Sequence, residues 1–229
     1  MGVFISVFPD VVFFGGTFAK RDILRFYYPV WEFAVATMKS GVFPLWNPYN
    51  CNGTPFFANI QTCVLYPLSA LLYLPNYLWA LNFYILLHLA LAGLFCCVWM
   101  KDCGASKEAS FLAGMSYCLS GYVMSSISLT ISLASLVYFP LALLTLRRAQ
   151  RTEHFFWKGM AGGVLLLQYL AGDPTIFFAT SVIMTLFTAY RTVLKSMEGG
   201  RLQGEAQGKF VMAKTEQRAG CPGVANRCS

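Results

Sequence analysis

The run from Tyr77 to Met100 is apolar almost throughout, and it is long enough to cross a bilayer as one helix, which needs about twenty such residues. Four further apolar runs follow, Ala109 to Ser126, Ile131 to Leu146, Phe155 to Ala171 and Pro174 to Leu194. Short polar islands separate them. The chain is 57% hydrophobic and only 12% charged, with a mean hydropathy of +0.55, whereas a soluble domain is nearer a quarter charged. These runs predict an all-α polytopic membrane protein, with a transmembrane bundle of about five spans over residues 77–195.

Residues 1–16 read as a partial first transmembrane segment. Met1 to Gly15 is apolar but short, is interrupted by Pro9-Asp10, and resembles the last half of a span. No basic region precedes it, so a cleavable signal is not expected. Residues 17–76 form a long loop. From Met197 the composition turns to Gly, Gln, Ala and charge with almost no aromatic residues, so 196–229 reads as a disordered tail. No internal repeat is visible.

The formal net charge of +7 does not point to nucleic acid, because the basic residues cluster at the ends of apolar runs instead of forming a stripe. That placement sets orientation. Lys101, Lys107, Arg147, Arg148, Arg151, Lys158, Arg191 and Lys195 fall on alternate turns, while Gly121 to Thr130 and Gly172 to Pro174 carry no Lys or Arg. By the positive-inside rule the first set is cytoplasmic. The long loop is then extracytoplasmic despite its Lys20, Arg21, Arg25 and Lys39, since long loops obey the rule poorly. Asp22 and Asp173 are expected at the outer water boundary, with Asp10 near it.

Loops of this length are usually functional or disordered, and the aromatic content of Thr17 to Asn76 argues for order. Asp22 can cap a helix running to Lys39, with Val30, Phe33, Ala34 and Met38 on its apolar face. Pro29 would kink or restart that helix and Ser40-Gly41 would end it. Such a helix is expected to lie flat on the membrane with Trp31 at headgroup level. Cys63 to Leu74, bracketed by Pro67 and Pro75, is too short to span and reads as interfacial. None of the eight cysteines has metal-binding spacing. Cys96, Cys97 and Cys118 read as packing residues, and Cys51 and Cys63 share the loop and can pair if that face is oxidising.

Several stretches, in order, carry a resemblance. They are Arg21-Asp22 with Tyr27-Tyr28-Pro29, Gly41 with Pro44-Leu45-Trp46-Asn47-Pro48-Tyr49, and Gly53-Thr54-Pro55-Phe56 with Ala58-Asn59, Gln61 and Tyr66-Pro67. Next come Ala80-Leu81-Asn82, His88, Leu91-Ala92-Gly93-Leu94, Leu119-Ser120-Gly121 and Leu170-Ala171-Gly172-Asp173-Pro174. Over residues 10 to 195 the chain resembles the YfhO family of bacterial membrane proteins, of the GT-C glycosyltransferase type. The Pro-Leu-Trp-Asn-Pro-Tyr run is the most specific part. The resemblance implies a GT-C-like helical bundle with a long folded extracytoplasmic first loop, in the bacterial cell membrane. It implies transfer of a sugar from a polyprenyl phosphate to an envelope polymer or lipid on the outer face, with Asp22 in the place of the acid central to catalysis. Family members often have His in the short turn that here reads Ser125 to Thr130, and His where this chain has Asp173. They are also longer, so the chain reads as a fragment or a frame-shifted gene product.

Each candidate has two readings. Asp22 suits a base that takes the acceptor hydroxyl's proton, or a ligand to a divalent ion beside the leaving phosphate, against a helix cap. Arg25, with Arg21 and Lys20, suits a lipid-linked phosphate, against attraction to anionic headgroups. Tyr28 belongs with this substrate-binding group. Asp173 is an ionisable group near membrane depth, or a cap before Pro174 at N1. Trp46, Asn47, Tyr49, Asn59 and Gln61 suit a sugar or acceptor pocket, against a scaffold of turns and interfacial anchors. His88 reads as a buried polar residue bonding a neighbouring helix, and His154 as a solvated turn residue. No soluble cofactor or metal cluster is implied. Two rival functions are a lipid or solute transporter, which predicts charges deep within several spans, and a non-catalytic envelope-assembly protein.

Overall fold

Helices α1 (Pro9–Phe13), α2 (Tyr28–Lys39), α3 (Tyr77–Asp102), α4 (Lys107–Cys118), α5 (Gly121–Ser125), α6 (Thr130–Leu136), α7 (Tyr138–Thr152), α8 (Phe155–Leu170) and α9 (Pro174–Ala219) carry most of the chain. The computed structural model describes residues 9–13, 16–18, 22–152 and 154–219. A two-stranded antiparallel hairpin, β1 (Trp46–Asn47) and β2 (Thr54–Pro55), pairs Trp46 with Pro55 and Asn47 with Thr54. Met1–Val182 form one compact unit and Ile183–Ser229 a second. In the second, α9 continues as helix to Ala219, where disorder was expected from residue 196. The Ala, Glu, Gln and Lys content of that segment favours helix even without an apolar face.

Three helical stretches are long and apolar enough to cross a membrane, Tyr77–Asp102, Thr130–Thr152 and Pro174–Leu194. The other two expected spans are shorter helices. The run from Ala109 to Ser126 breaks after Cys118, because the Ser120 hydroxyl accepts the Val123 N–H at 3.4 Å and starts a new helix, α5. Helix α8 has 16 residues, about 24 Å at 1.5 Å per residue, against a hydrocarbon core of about 30 Å.

The middle stretch is held together across a proline. Pro140 has no N–H to give the Leu136 carbonyl one turn back. The Tyr117 hydroxyl, from α4, donates to that carbonyl at 3.0 Å instead, the kind of repair a proline inside an apolar helix requires. Helix α4 reaches this far because it crosses α3 closely. A Cβ on Gly114 would stand 2.6 Å from the Gly93 carbonyl, and one on Gly93 would stand 3.4 Å from Cys118 Sγ. Small residues let apolar helices approach backbone to backbone. Ala92, Cys118 and Val137 fill the contact, so Cys96 and Cys118 are packing residues as expected.

One end of the bundle is marked by charge. Asp102, closing α3, accepts from Arg148 Nε at 2.8 Å and from Arg147 at 3.3 Å, both near the end of α7. Arg148 also lies 4.7 Å from the Trp157 ring centre at the start of α8. Arg147 and Arg148 therefore gather with Asp102 where the ends of α3 and α7 meet the start of α8. Residues 60–63 of the loop pack instead against the turn between α8 and α9, at the far end of α8.

The loop helix differs from expectation in a way that matters for the site. Asp22 has helical backbone angles (φ −73°, ψ −16°) and its side chain makes no capping hydrogen bond. Residues Ile23–Tyr27 instead form a π-turn, closed by the Tyr28 N–H on the Ile23 carbonyl, and α2 starts with Pro29 in its first turn. Pro29 thus restarts the helix, as one of its two expected effects. Ser40 and Gly41, the latter at φ +81°, end it. The extra residue turns the buried face to Trp31, Ala34 and Val35. Trp31 is not at headgroup level: it is 1% exposed, its ring lies against Tyr27 and Tyr84, and its Nε1 donates to the Gln61 carbonyl at 3.3 Å.

Candidate functional site

The loop is locked to the bundle through one buried chain of hydrogen bonds. His88 Nδ1 lies 2.7 Å from the Tyr84 carbonyl, which can only accept, so Nδ1 carries the proton. Nε2 is then the acceptor, and the Tyr66 hydroxyl donates to it at 2.8 Å. Tyr138, from α7, donates in turn to the Tyr66 oxygen at 2.9 Å. His88 therefore bonds the loop's Tyr66, which links it onward to a neighbouring helix. Tyr66 is the first residue before a 3-10 helix, Pro67–Tyr73, so this node seats the segment expected to be interfacial directly on α3. Burial pushes the Tyr66 phenol well above its ordinary pKa, which keeps the neutral, donating form.

A second lock lies beside it. Asn59 caps a short 3-10 helix, Ile60–Thr62, by accepting the Gln61 N–H at 3.0 Å. Cys63 follows at φ +51° and its thiol donates to the Ala171 carbonyl at 3.2 Å. Gly172 (φ +97°) makes room: a Cβ there would lie 2.7 Å from the Cys63 sulfur and 3.1 Å from the Ile60 carbonyl. Burial raises the Cys63 pKa to about 12. Cys51 is an exposed free thiol on the hairpin and Cys63 a buried one, so the pairing that a shared loop allowed is not made.

Asp173 sits next, buried at the head of α9. One carboxylate oxygen accepts the N–H groups of Thr175 (2.9 Å) and Ile176 (3.3 Å) and the other accepts the Ser132 hydroxyl. The cap reading of Asp173 is met in full, with Pro174 at the first helical position. Its recorded bonds are all to groups of the protein itself.

Asp22 and Arg25 are different. Both side chains are exposed, and neither makes a hydrogen bond or ion pair among the described residues. Tyr27, in the π-turn that follows Asp22, is 3% exposed, with no hydrogen-bond partner for its hydroxyl among the described residues. Burial first, and then the charges of Asp22, Cys63 and Asp173, hold the Tyr27 pKa above its ordinary value. Sequence reasoning took Tyr28 from the same Tyr-Tyr pair. Tyr28 turns the other way, its ring 5.1 Å from that of Tyr77, whose hydroxyl donates to the Tyr28 carbonyl at 3.3 Å. The readable signal was Pro29, which forces a break just after these tyrosines.

The remaining candidates separate from this point. Arg21 lies outside the described residues. Trp46 covers Gly53, whose Cβ would meet the indole at 2.5 Å, and the Asn47 side chain accepts the Tyr49 N–H at 2.9 Å in a local turn. Asn59 is the cap already described, and Gln61 contributes its carbonyl to Trp31. These contacts hold the loop together. A cavity of about 290 Å³ opens beside them, lined by Phe57, Asn59, Thr62, Cys63, Leu65 and Tyr169 among others. Gln168 was missed because a lone Gln in an apolar run has no pattern. It is fully buried, and its Nε2 donates to the Ser135 carbonyl (3.1 Å) and to Thr180 Oγ1 (2.9 Å), tying α8 to α6 and α9.

Among the described residues no three His, Cys, Asp or Glu side chains gather as a metal site. A divalent ion at Asp22 would have one protein carboxylate, with water and phosphate oxygens completing its shell, an arrangement Mg²⁺ tolerates. No family model matches the chain, and neither a curated protein nor a solved structure does.

Proposed function

We propose that the chain is a GT-C-type membrane glycosyltransferase-like protein of the YfhO kind, moving a sugar from a polyprenyl phosphate to an envelope acceptor on the outer face of a bacterial membrane. The reading rests on one observation beyond the resemblance: Asp22 is an exposed carboxylate with no capping, pairing or packing duty among the described residues. It stands on the loop, at the end of the bundle away from the Asp102–Arg148 cluster.

In this reaction the Asp22 carboxylate takes the proton of the acceptor hydroxyl as its oxygen attacks the anomeric carbon. The bond from that carbon to the polyprenyl phosphate breaks, the phosphate leaves with the electron pair, and the configuration inverts. Arg25, one turn along, pairs with the phosphate oxygens. The test is envelope-sugar content in cells whose only copy is Asp22→Asn in the full-length gene. Loss of the sugar with normal amounts of protein in the membrane supports the reading, and partial recovery in Asp22→Glu strengthens it. Unchanged sugar removes Asp22 from the mechanism.

A further inference from the structure

Between Ser40 and Met100 the chain contains no Asp, Glu, Lys or Arg. That charge-free stretch covers α3, where it is expected of an apolar helix, but also the whole hairpin region that precedes it. There the side chains point outward: Val42 is 58% exposed, Leu45 62%, Trp46 55%, Tyr49 86% and Leu65 56%. They form one surface. The Phe43 and Phe57 rings meet at 5.1 Å, the Phe56 N–H bonds the Leu45 carbonyl at 2.9 Å, and Phe57 and Leu65 share the rim of the 290 Å³ cavity. A contiguous apolar patch of this kind marks a surface that is covered in use.

We infer that the hairpin, residues 42–57, is a membrane-embedded wedge that sits in the headgroup and upper acyl layer of the bilayer, so that the patch is covered by lipid. Three features favour lipid over a protein partner. The patch has no charged rim within its own segment, where protein interfaces carry a polar one. Its Trp and Tyr are the residues that anchor at the water–lipid boundary. Part of its backbone is paired within itself: the β1–β2 ladder, Gly53 N–H on the Asn50 carbonyl at 2.8 Å, and Tyr49 N–H on the Asn47 side chain at 2.9 Å. A segment entering lipid must bring its hydrogen bonds with it. The wedge is also rigid at its base, where buried Phe56 packs 5.0 Å from Phe33 of α2. It holds whether or not the protein transfers sugar.

The experiment uses the full chain in lipid nanodiscs and follows the fluorescence component that Trp46→Phe removes. Lipids brominated near the top of the acyl chain should quench that component about twofold or more, and aqueous iodide should leave it nearly unchanged, as for an indole at the interface. Leu45→Asp, at an exposed site where folding is not at risk, should move Trp46 into reach of iodide. Quenching by iodide without response to brominated lipid puts the hairpin in water and overturns the inference. Protection from both quenchers means that protein, a partner or a second copy, covers the patch, which overturns it too.

Discussion

Tyr66 and His88 meet at 2.8 Å in the fully buried centre of the unit, and through this bond a loop that carries the candidate site is registered against α3. Tyr66→Phe removes the donor to His88 and the acceptor for Tyr138 together. Two buried groups are then left unpaired, at about 1–3 kcal/mol each. The thermal midpoint of the detergent-solubilised protein should fall clearly, and Tyr138→Phe, which strands only one partner, should cost less. Equal midpoints for wild type and Tyr66→Phe would show that the node carries no stability.

Gly172 is the place where the loop and the α8–α9 turn come closest. Gly172→Ala strains a φ of +97° and drives a Cβ to 2.7 Å from the Cys63 sulfur. Residues 60–63 must move away, so limited proteolysis should cut the loop faster than in wild type. Gly121→Ala, with open space around it, is the control that should leave the digest unchanged.

The two loop thiols should differ in reactivity. Cys51 is exposed and should be alkylated by maleimide at neutral pH, while buried Cys63, held near 12 instead of the ordinary 9.0, stays a protonated thiol and should resist. The sign for stability follows. The folded protein favours the protonated thiol, so its contribution is whole below about pH 9 and is lost as the pH climbs toward 12. Unfolding midpoints measured from pH 8 to 11 should decline, and Cys63→Ala should flatten part of that decline.

At the α3–α4 crossing, Gly114→Ala places a methyl 2.6 Å from the Gly93 carbonyl, a backbone atom that cannot step aside. Overpacking of this kind costs typically about 1–3 kcal/mol. Helix α4 would shift, and with it the Tyr117 bond that serves the Leu136 carbonyl. Gly114→Ala should therefore lower the midpoint by more than Gly162→Ala, where the added methyl meets nothing. Similar midpoints would mean that the crossing relaxes freely.

Hydropathy alone was enough to read a helical chain with stretches long and apolar enough to cross a membrane, because a run of apolar side chains has few other ways to hide its backbone. It also read the end of α2 at Ser40-Gly41 and the cap at Asp173-Pro174, since both depend on neighbours in sequence. It could not read which face of the loop helix turns inward. Helix α2 follows a π-turn at Ile23–Tyr27, and Trp31 and Val35 meet the core where Val30, Phe33 and Met38 were expected to. Nor could it read the pairing of Tyr66 with His88, or of Cys63 with the carbonyl 108 residues away. Local sequence specifies what a residue can bond and how its backbone bends. Which partner arrives is decided only when distant segments pack, because a buried polar group takes whichever complement the tertiary contact brings within about 3 Å.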